Sequence, residues 1–487
     1  MINPSMPAAT QPPDLQTKLG YGVGEMSSEI PGSILVFFLL FFLTNVAGLN
    51  PALAGSVLLV GKVWDAINDP LVGWLSDRTR SPWGRRYPWM VWGAVPLGLC
   101  FVLQWWVPPL SNQIGLFGYY SAIAFLFYAA STAVIVPYST LAAELTRHYD
   151  ERTSLVSYKA AFSIGSSIVG LILAQLIFTV IADPRNKYLV MGGICGGLAT
   201  LAVFLCIWGT YRRFREIESE RALVERPTAP PFWWQMRVAL RNRPFLYVVG
   251  IYLCSWLGLQ VTAAMLPYFV VNWMGLPEHH FTQMALVVQG TALLTMLVWG
   301  WLGQKFGKRA IYCMGIPLTL IAQAGLFFLQ PGQIGWMYGL GALAGAGLAT
   351  AYLVPWSMLP DVVDLDELNT GQRREGIFYG FVVQLKKIGV AIALFVVSAV
   401  LEWAGLVSGG ADQVTLTQPD SALQAIRWLV APVPSIVLIG GLVLAYFYPI
   451  TRERHQQIVM QLGKSSDRFK KRSPSPLRLM GEAESRE

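Results

Sequence analysis

Long stretches of this chain contain no charged side chain. Five of them reach or exceed the roughly 20 apolar residues that an α-helix needs to cross a bilayer: residues 30–61, 88–143, 244–277, 281–304 and 310–360. Turn-like segments, "VPPLSNQIG" and "LQPGQIGW", interrupt the two longest stretches, so each of these two supplies two spans. The pattern predicts about twelve transmembrane helices, six on each side of a polar segment in the middle of the chain.

The composition agrees with a membrane protein rather than a soluble one. Of the 487 residues, 54% are hydrophobic and only 13% are charged, and the mean hydropathy is +0.47. A soluble globular domain has about twice that charged fraction. We therefore expect an all-α, multi-pass integral membrane protein that resides in the lipid bilayer of the plasma (inner) membrane.

The charge distribution predicts the orientation of the helices. The net charge of +8 could indicate a nucleic-acid partner, but the basic residues are confined to particular loops. Arginines cluster at 78–86, at 147–152 and in the segment 211–244, which holds eight arginines against four glutamates. The intervening loops "TNVAGLNPA", "VPPLSNQIG" and "LQPGQIG" carry no charge. Because cytoplasmic loops are enriched in Lys and Arg, we expect both termini and the central segment in the cytoplasm, and no nucleic-acid partner.

Three sequence motifs occur twice in the same order. "GWLSDRTRSPWGRR" pairs with "GWLGQKFGKR", "VPYSTLAAELT" with "VPWSMLPDVVD", and "DERTSLVSYK" with "GQRREGIFYG", at offsets of roughly 220 residues. The repeat predicts two related six-helix halves at 18–211 and 244–451, joined by a cytoplasmic linker at 212–243. Residues 1–17 are expected to form a disordered tail, and 452–487 a cytoplasmic tail. Parallel halves of this kind build the major facilitator fold, whose binding sites lie between the halves near the midplane of the membrane.

Nothing in the sequence is typical of an enzyme. It has no phosphate-binding glycine loop, metal-binding cluster or nucleophile–base pair, and its four histidines fall in predicted loops or tails. The five cysteines lie in apolar spans, which argues against a disulfide framework. We therefore expect neither catalytic residues nor an organic cofactor.

The motifs also carry a family resemblance. "GKVWDAINDPLVGWLSDRTRSPWGRRYPW" resembles the second helix and following loop of the glycoside–pentoside–hexuronide:cation symporters, the family that includes melibiose permease. "VPYSTLAAELTRHYDERTSLVSY" and "MLPDVVDLDELNTGQRREGIFYG" are similar to that family's fourth–fifth and tenth–eleventh helix connections. The similarity covers about 18–448. Lysophosphatidylcholine symporters share the same scaffold, so the resemblance leaves the choice between sugar and lysolipid open.

Polar residues on the second helix form a candidate cation site. Asp65, Asn68 and Asp69 lie at positions i, i+3 and i+4, on one helical face. Carboxylates in a membrane span are costly and face a bundle interior or an aqueous cavity, and two of them within one turn need a bound cation or a proton. Hard cations prefer oxygen ligands. The resemblance implies that the trio is the family's sodium site, with Thr132 on helix four as a further ligand; the alternative is that the aspartates pair with Lys62.

The resemblance also implies residues for substrate binding and coupling. Glu29 on helix one occupies the position of a sugar-binding aspartate, and Lys159 on helix five that of an arginine. Lys387 on helix eleven matches a family lysine and would lie across the central cavity from the acidic trio, as its partner in the ion-free state. Its neighbour Lys386 leaves the register of this helix open.

Helix four departs from the family pattern. Ile135 and Ser139 replace an aspartate that binds sugar hydroxyls and a tryptophan that stacks on the sugar, so melibiose itself is not expected as substrate. Tyr138 and Gln384 are candidates to replace the lost contacts.

The loop after helix two carries a candidate cytoplasmic gate. Asp77, Arg78, Arg85 and Arg86 resemble the superfamily's signature between helices two and three, whose charges can latch the two halves together. The second copy has Gln304 in place of Asp77, which argues against an equivalent latch in the second half.

The function predicted from the sequence is symport of a small organic solute, a sugar or glycoside, with sodium or protons. The first alternative is a sodium-coupled symporter of lysophospholipids or other amphiphiles. An alternative of another class is a passive scramblase or membrane scaffold that retains the fold. The oligomeric state is left open.

Overall fold

The structure, a computed structural model, describes residues 13–146, 149–221, 237, 240–370, 375–408, 417–458 and 460–461. Most of the predicted N-terminal tail, most of the predicted linker and most of the C-terminal tail therefore lie outside the described residues. Helix α1 begins at Leu15, so residues 15–17 are helical and do not belong to a disordered tail. The sixth helix continues to Arg221, ten residues into the range predicted as linker, because the chain remains helical beyond its apolar part.

The described residues contain twelve long helices and no strand, which confirms the all-α fold. In chain order these are α1 (Leu15–Asn45), α2 (Pro51–Arg78), α3 (Tyr87–Gln104), α4 (Gln113–Leu145), α5 (Tyr149–Val180), α6 (Pro184–Arg221), α7 (Arg243–Trp273), α8 (His279–Phe306), α9 (Lys308–Phe328), α10 (Ile334–Thr370), α11 (Glu375–Trp403) and α12 (Asp420–Tyr446).

Three of these helices are irregular. The backbone of α1 is interrupted at Glu25, between Leu15–Gly24 and Met26–Asn45. The last turn of α7 widens to a π-helix at Phe269–Trp273. In α12 the interruption falls at Ala431, directly before Pro432, because proline lacks the N–H that would continue the helical hydrogen bonds.

Helix α2 differs from the others in its composition. Among the described residues, eleven helices are long and apolar enough to cross a membrane, and α2 is the long helix outside that set. It has 28 residues, but Lys62, Asp65 and Asp69 interrupt its apolar stretch. A helix of this kind has to be covered by other helices, since charges at bilayer depth are costly when they face lipid.

The two halves pack against each other through equivalent pairs of helices. Helix α2 packs on α11, α5 packs on α8, and α1 packs on α7. Helix α8 is the counterpart of α2 in the other half, and α5 is the counterpart of α11. The α5–α8 pair is therefore the equivalent of the α2–α11 pair. This is the arrangement expected for parallel halves related by an axis along the membrane normal.

Polar contacts between the halves join them at the face that carries the uncharged loops. Lys187, at the start of α6, lies with its Nζ 2.8 Å from Oε2 of Glu278, which precedes α8. The hydroxyls of Thr44 and Tyr268, near the ends of α1 and α7, are 2.6 Å apart. The two halves are therefore in contact at this face.

At the opposite face, the ion pairs among the described residues stay within one half. Lys18 pairs with Glu151 at 2.8 Å, and Lys308 pairs with Asp361 at 2.6 Å. Among the described residues, the polar contacts between the halves outside the membrane interior thus lie at the face of the uncharged loops.

We expect the Lys187–Glu278 pair to hold the first face shut. Lys187 is only 8% exposed, so Lys187→Met leaves Glu278 with a poorly solvated, unpaired charge, a strongly destabilising situation. A cysteine placed at Ser33, in the wall of the central cavity, should then react roughly tenfold faster with an impermeant maleimide added outside. A tenfold change corresponds to about 1.4 kcal/mol lost from the stability of the closed state.

The measurement needs a background without native cysteines and a control. Arg212→Gln, at an exposed arginine of α6, should leave the labelling rate unchanged. Equal rates for Lys187→Met and this control would show that the pair does not hold the face closed.

Candidate functional site

The acidic residues of α2 point into the protein. Asp65 and Asn68 are buried and Asp69 is half-buried, all on the face that α4 and α11 cover. The side-chain amide of Asn68 donates to the backbone carbonyl of Tyr128 on α4, at 3.5 Å. The shared face predicted from the spacing is therefore present.

A glycine lets α4 approach this face closely. A Cβ at Gly61 would lie 2.7 Å from the ring of Tyr128, closer than real side-chain atoms come. Small residues at helix contacts in membranes allow such approaches. One turn further along α4, the hydroxyl of Thr132 lies 3.3 Å from Oδ1 of Asp65 and 3.1 Å from Oδ1 of Asp69, and can donate to either.

A second glycine brings α11 against α2 from the other half. A Cβ at Gly55 would lie 2.4 Å from the Cβ of Ser398. Nearer the start of α11, Lys387 reaches both carboxylates: its Nζ lies 2.9 Å from Oδ2 of Asp65 and 2.5 Å from Oδ2 of Asp69. The contact predicted between Lys387 and the α2 carboxylates is thus present, and the register of α11 points Lys387 rather than Lys386 at them.

Two other lysines lie near Asp65 and Asp69 without forming an ion pair with them. Lys62 lies over the ring of Tyr128, 4.8 Å from its centroid, and Lys386 over the ring of Trp256, at 4.6 Å. Within the part of the chain that the structure describes, neither is within ion-pair distance of the aspartates. The alternative in which the aspartates pair with Lys62 is therefore not the arrangement found.

Gln384 also links the two halves at this level. Its amide Nε2 donates to the backbone carbonyl of Ala66 at 2.7 Å, while its buried Oε1 has no hydrogen-bond partner among the described residues. Gln384 thus joins α11 to α2. It is not among the residues that line the central cavity or the cavity beside the aspartates.

Two adjoining cavities meet at the lysines. The central cavity, of about 310 Å³, lies between the halves and is lined by helices of both. A smaller cavity of about 270 Å³ includes Asp65, Asp69 and Thr132 in its wall. Both cavities share a set of wall residues that includes Lys62, Gln260, Lys386 and Lys387. The acidic site and the central space are therefore separated by little more than these side chains.

The predicted substrate residues are distributed unevenly. Glu29 lines the central cavity. Lys159 instead pairs with Glu25 at 3.4 Å and lies over the ring of Tyr138. Tyr138 is 2% exposed, and its hydroxyl donates to the carbonyl of Tyr21. These contacts make Tyr138 a packing residue between α1 and α4 rather than a substrate contact.

The predicted gate residues contact their own half. Arg86 donates to Asp77 at 2.6 Å, and both Arg85 and Arg86 bind Glu144 at the end of α4. Arg78 lies over the ring of Trp74. Among the described residues no member of this cluster contacts the other half, and the latch between the halves stays a prediction.

The second half has an ion pair at the corresponding place. Lys308, in the "GKR" that matches the "GRR" of Arg85 and Arg86, binds Asp361 in the second part of α10. The expectation drawn from Gln304 concerned a latch between the halves, and this pair lies within the second half, so that expectation stays untested.

The sequence reasoning missed several contributors. Lys187, Glu278 and Glu144 were overlooked because their partners are remote in sequence. Lys62 and Lys386 appeared only as possible rivals to Lys387. The position of Lys62 and of Lys386 within an apolar stretch was the sequence feature that could have identified them as residues of the cavity wall.

The donor set of the acidic site fits a monovalent cation. Two carboxylates, the Asn68 amide and the Thr132 hydroxyl offer oxygen atoms, which hard cations prefer. In this conformation the Lys387 ammonium is the counter-charge of the two carboxylates, and a sodium ion or a proton can take over that role. In the described ranges, no group of three or more His, Cys, Asp and Glu side chains is placed so that it could hold a metal ion.

Known transporters are similar to this chain in sequence and in fold. A family model described as "MFS/sugar transport protein" matches residues 20–452. The chain is 45% identical to an uncharacterized symporter of Synechocystis, over 92% of this chain and 96% of that protein. It is 28% identical to the sodium-dependent lysophosphatidylcholine symporter 1-A of Danio rerio, over 92% and 88%. The crystal structure of the nucleoside transporter NupG superposes with a TM-score of 0.63 at 11% identity, over 90% and 100%.

The bridging position of Lys387 makes a specific prediction. Lys387→Met removes the ammonium that separates two buried carboxylates, so the sodium-free protein should melt several degrees lower, as a loss of about 1–2 kcal/mol implies. Added sodium should then raise the melting temperature more than in the unmodified protein, because no ammonium competes for the carboxylates.

The matched control is Lys386→Met, next along the chain but without contact to the aspartates. Both variants are compared by thermal unfolding in sodium chloride and choline chloride. An identical response of the two variants would contradict the assigned role of Lys387.

Proposed function

This chain belongs to the MFS/sugar transport protein family, and we propose that it couples the entry of a cation at Asp65 and Asp69 to the transport of an amphiphilic solute. It is a symporter of the major facilitator type, a multi-pass membrane protein and not an enzyme. The observation that supports the coupling proposal is that Lys387, from one half, bridges two carboxylates of the other.

The coupling follows from competition for the same oxygens. A cation that binds Asp65 and Asp69 has to replace the Lys387 ammonium as their counter-charge, since both occupy the same carboxylates. Lys387 is part of α11 and the aspartates are part of α2, so cation binding weakens a contact between the halves. A cation therefore changes the free energy of moving the halves, as a ligand with different affinity for two states does.

The released ammonium faces the solute cavity. Lys387 lines the central cavity as well as the acidic site. Once the cation has displaced it, Lys387 can bind an anionic or hydrogen-bonding group of the solute. Solute and cation then support each other's binding, and this reciprocity is what symport requires.

The wall of the central cavity favours an amphiphile. Glu29, Lys62, Lys386 and Lys387 supply charges from α1, α2 and α11. The wall formed by the second half is largely apolar and includes the side chains Leu259, Leu266, Met284, Val288, Ile316, Leu326 and Leu348. A solute with a charged head and an apolar body matches both parts, and the similarity to a lysophosphatidylcholine symporter supports this choice.

A sugar or glycoside is the second candidate, supported by the family description and by the resemblance to the glycoside symporters. Three glutamines, Gln260, Gln289 and Gln323, line the same cavity beside Trp256. Amides and an indole ring are suited to hydroxyl groups and to a sugar face. A polar sugar would, however, leave the charged lysines and the apolar wall without matching groups.

The proposal places the protein in the plasma (inner) membrane with both termini in the cytoplasm, as the arginine distribution favours. The closed face then lies outside.

The test is uptake into proteoliposomes of labelled lysophosphatidylcholine and of labelled glycosides, under inward sodium or proton gradients. We expect gradient-driven uptake of the lysolipid, little uptake of glycosides, and at least about a hundredfold loss of driven uptake in Lys387→Ala, in line with removing one partner of a buried pair. The exposed Arg215→Ala should transport normally.

Other results have definite meanings. Driven uptake of a glycoside alone would replace the amphiphile by a sugar. Lipid movement that ignores both gradients would indicate a passive scramblase and contradict the symporter proposal.

A further inference from the structure

A cavity that shares no wall residue with the transport site lies at the basic face of the second half. Its volume is about 660 Å³. The turn between α8 and α9, the end of α12 and the residues directly after α12 form its wall. The proposed transport mechanism uses none of these residues.

Two arginines in this wall have no acidic partner among the described residues. The guanidinium of Arg309 lies over the ring of Tyr446, 4.9 Å from its centroid. Arg452 donates to the backbone carbonyl of Lys305 at 2.9 Å, which leaves its other donors available. Both side chains therefore keep their full positive charge at the cavity.

The acids in the same wall are already engaged. Asp361 accepts two hydrogen bonds from Lys308, at 2.6 and 2.8 Å, and also lies 3.4 Å from Nε2 of His455. Glu453 is exposed at the rim, where it bonds Thr451 and its negative charge also acts on Arg452 through solvent, without an ion pair between them. The cavity thus carries uncompensated positive charge.

A buried hydroxyl in the cavity lacks a partner. Tyr448 is 2% exposed, and its OH makes no hydrogen bond with the described residues. Leaving a buried hydroxyl unpaired costs free energy. Tyr448 lines the cavity that the two arginines also line.

Aromatic residues place the cavity at the membrane boundary. The exposed rings of Phe306 and Tyr446 line it, and two more exposed aromatic residues, Trp301 and Phe447, lie at the ends of the same helices, α8 and α12. Such residues concentrate where lipid headgroups meet hydrocarbon. A ligand here would have its charge at headgroup depth and apolar surface beside it.

We propose that this cavity binds the phosphate of an anionic phospholipid, held by Arg309 and Arg452 with Tyr448 as a third donor, while the acyl chains lie along the exposed aromatic residues. Basic pockets between helices at the cytoplasmic side are suited to such headgroups, and arginine matches phosphate oxygens bidentately. The site is separate from the transported solute and stabilises the second half at its basic face.

The experiment uses the full chain in nanodiscs of phosphatidylcholine with increasing fractions of phosphatidylglycerol, and follows the melting temperature. We expect the temperature to rise and saturate with the anionic lipid. Arg309→Gln and Arg452→Gln should each require about tenfold more phosphatidylglycerol for half the rise, as loss of one charge-assisted hydrogen bond implies. Arg452 is exposed outside the spans, so its variant should fold normally.

The matched control is Arg215→Gln, an exposed arginine that also lies over a tyrosine ring, Tyr211 at 6.0 Å, but lines none of the cavities described here. Its response should equal that of the unmodified protein. Tyr448→Phe should raise the melting temperature in pure phosphatidylcholine, because it removes an unpaired buried hydroxyl, and should reduce the rise caused by phosphatidylglycerol.

Two results would overturn the proposal. Equal responses of Arg309→Gln, Arg452→Gln and Arg215→Gln would show general attraction to a charged surface. An equal rise with inorganic phosphate in phosphatidylcholine nanodiscs would show that the site takes a free anion and not a lipid.

Discussion

Two carboxylates one helical turn apart cannot remain charged inside a membrane without a counter-charge. Asp65 and Asp69 impose this requirement on α2, and much of the surrounding structure meets it. Close approach at Gly61 brings Thr132 to the carboxylates, and close approach at Gly55 brings α11. The counter-charge itself, Lys387, comes from the other half. The helix whose apolar stretch is interrupted by charges is therefore one that joins the two halves.

This dependence makes the contact adjustable. A purely apolar seam between α2 and α11 would be indifferent to ions, whereas an ion pair across it responds to any cation that replaces the ammonium. The face of the uncharged loops is closed by a second cross-half pair, Lys187 with Glu278. In the proposed mechanism, movement of the halves exchanges contacts at one face for contacts at the other, and the α2–α11 pair sets how readily this occurs.

The fold and the acidic face could be predicted from the sequence because both are local patterns. Charge-free runs reveal helices, and the spacing of Asp65, Asn68 and Asp69 reveals a shared face. The Lys387 contact was anticipated through a family resemblance. The packing role of Tyr138 and the pairing of Arg85 and Arg86 with Glu144 were not, because they depend on how separate helices meet. The sequence alone does not distinguish a polar aromatic residue that packs between helices from one that binds a ligand, because the difference lies in its contacts.

The most direct measurement of the central claim is thermal unfolding of the purified protein in sodium chloride and in equimolar choline chloride. A cation that binds only the folded site contributes about 2.7 kcal/mol at a hundredfold excess over its Kd, so the protein should melt higher in sodium, and Asp65→Asn and Asp69→Asn should each lose that gain. If protons serve instead, stability should depend on pH in the unmodified protein and not in the variants. A protein that responds to neither ion, or variants that respond as the unmodified protein does, would contradict a cation site on α2.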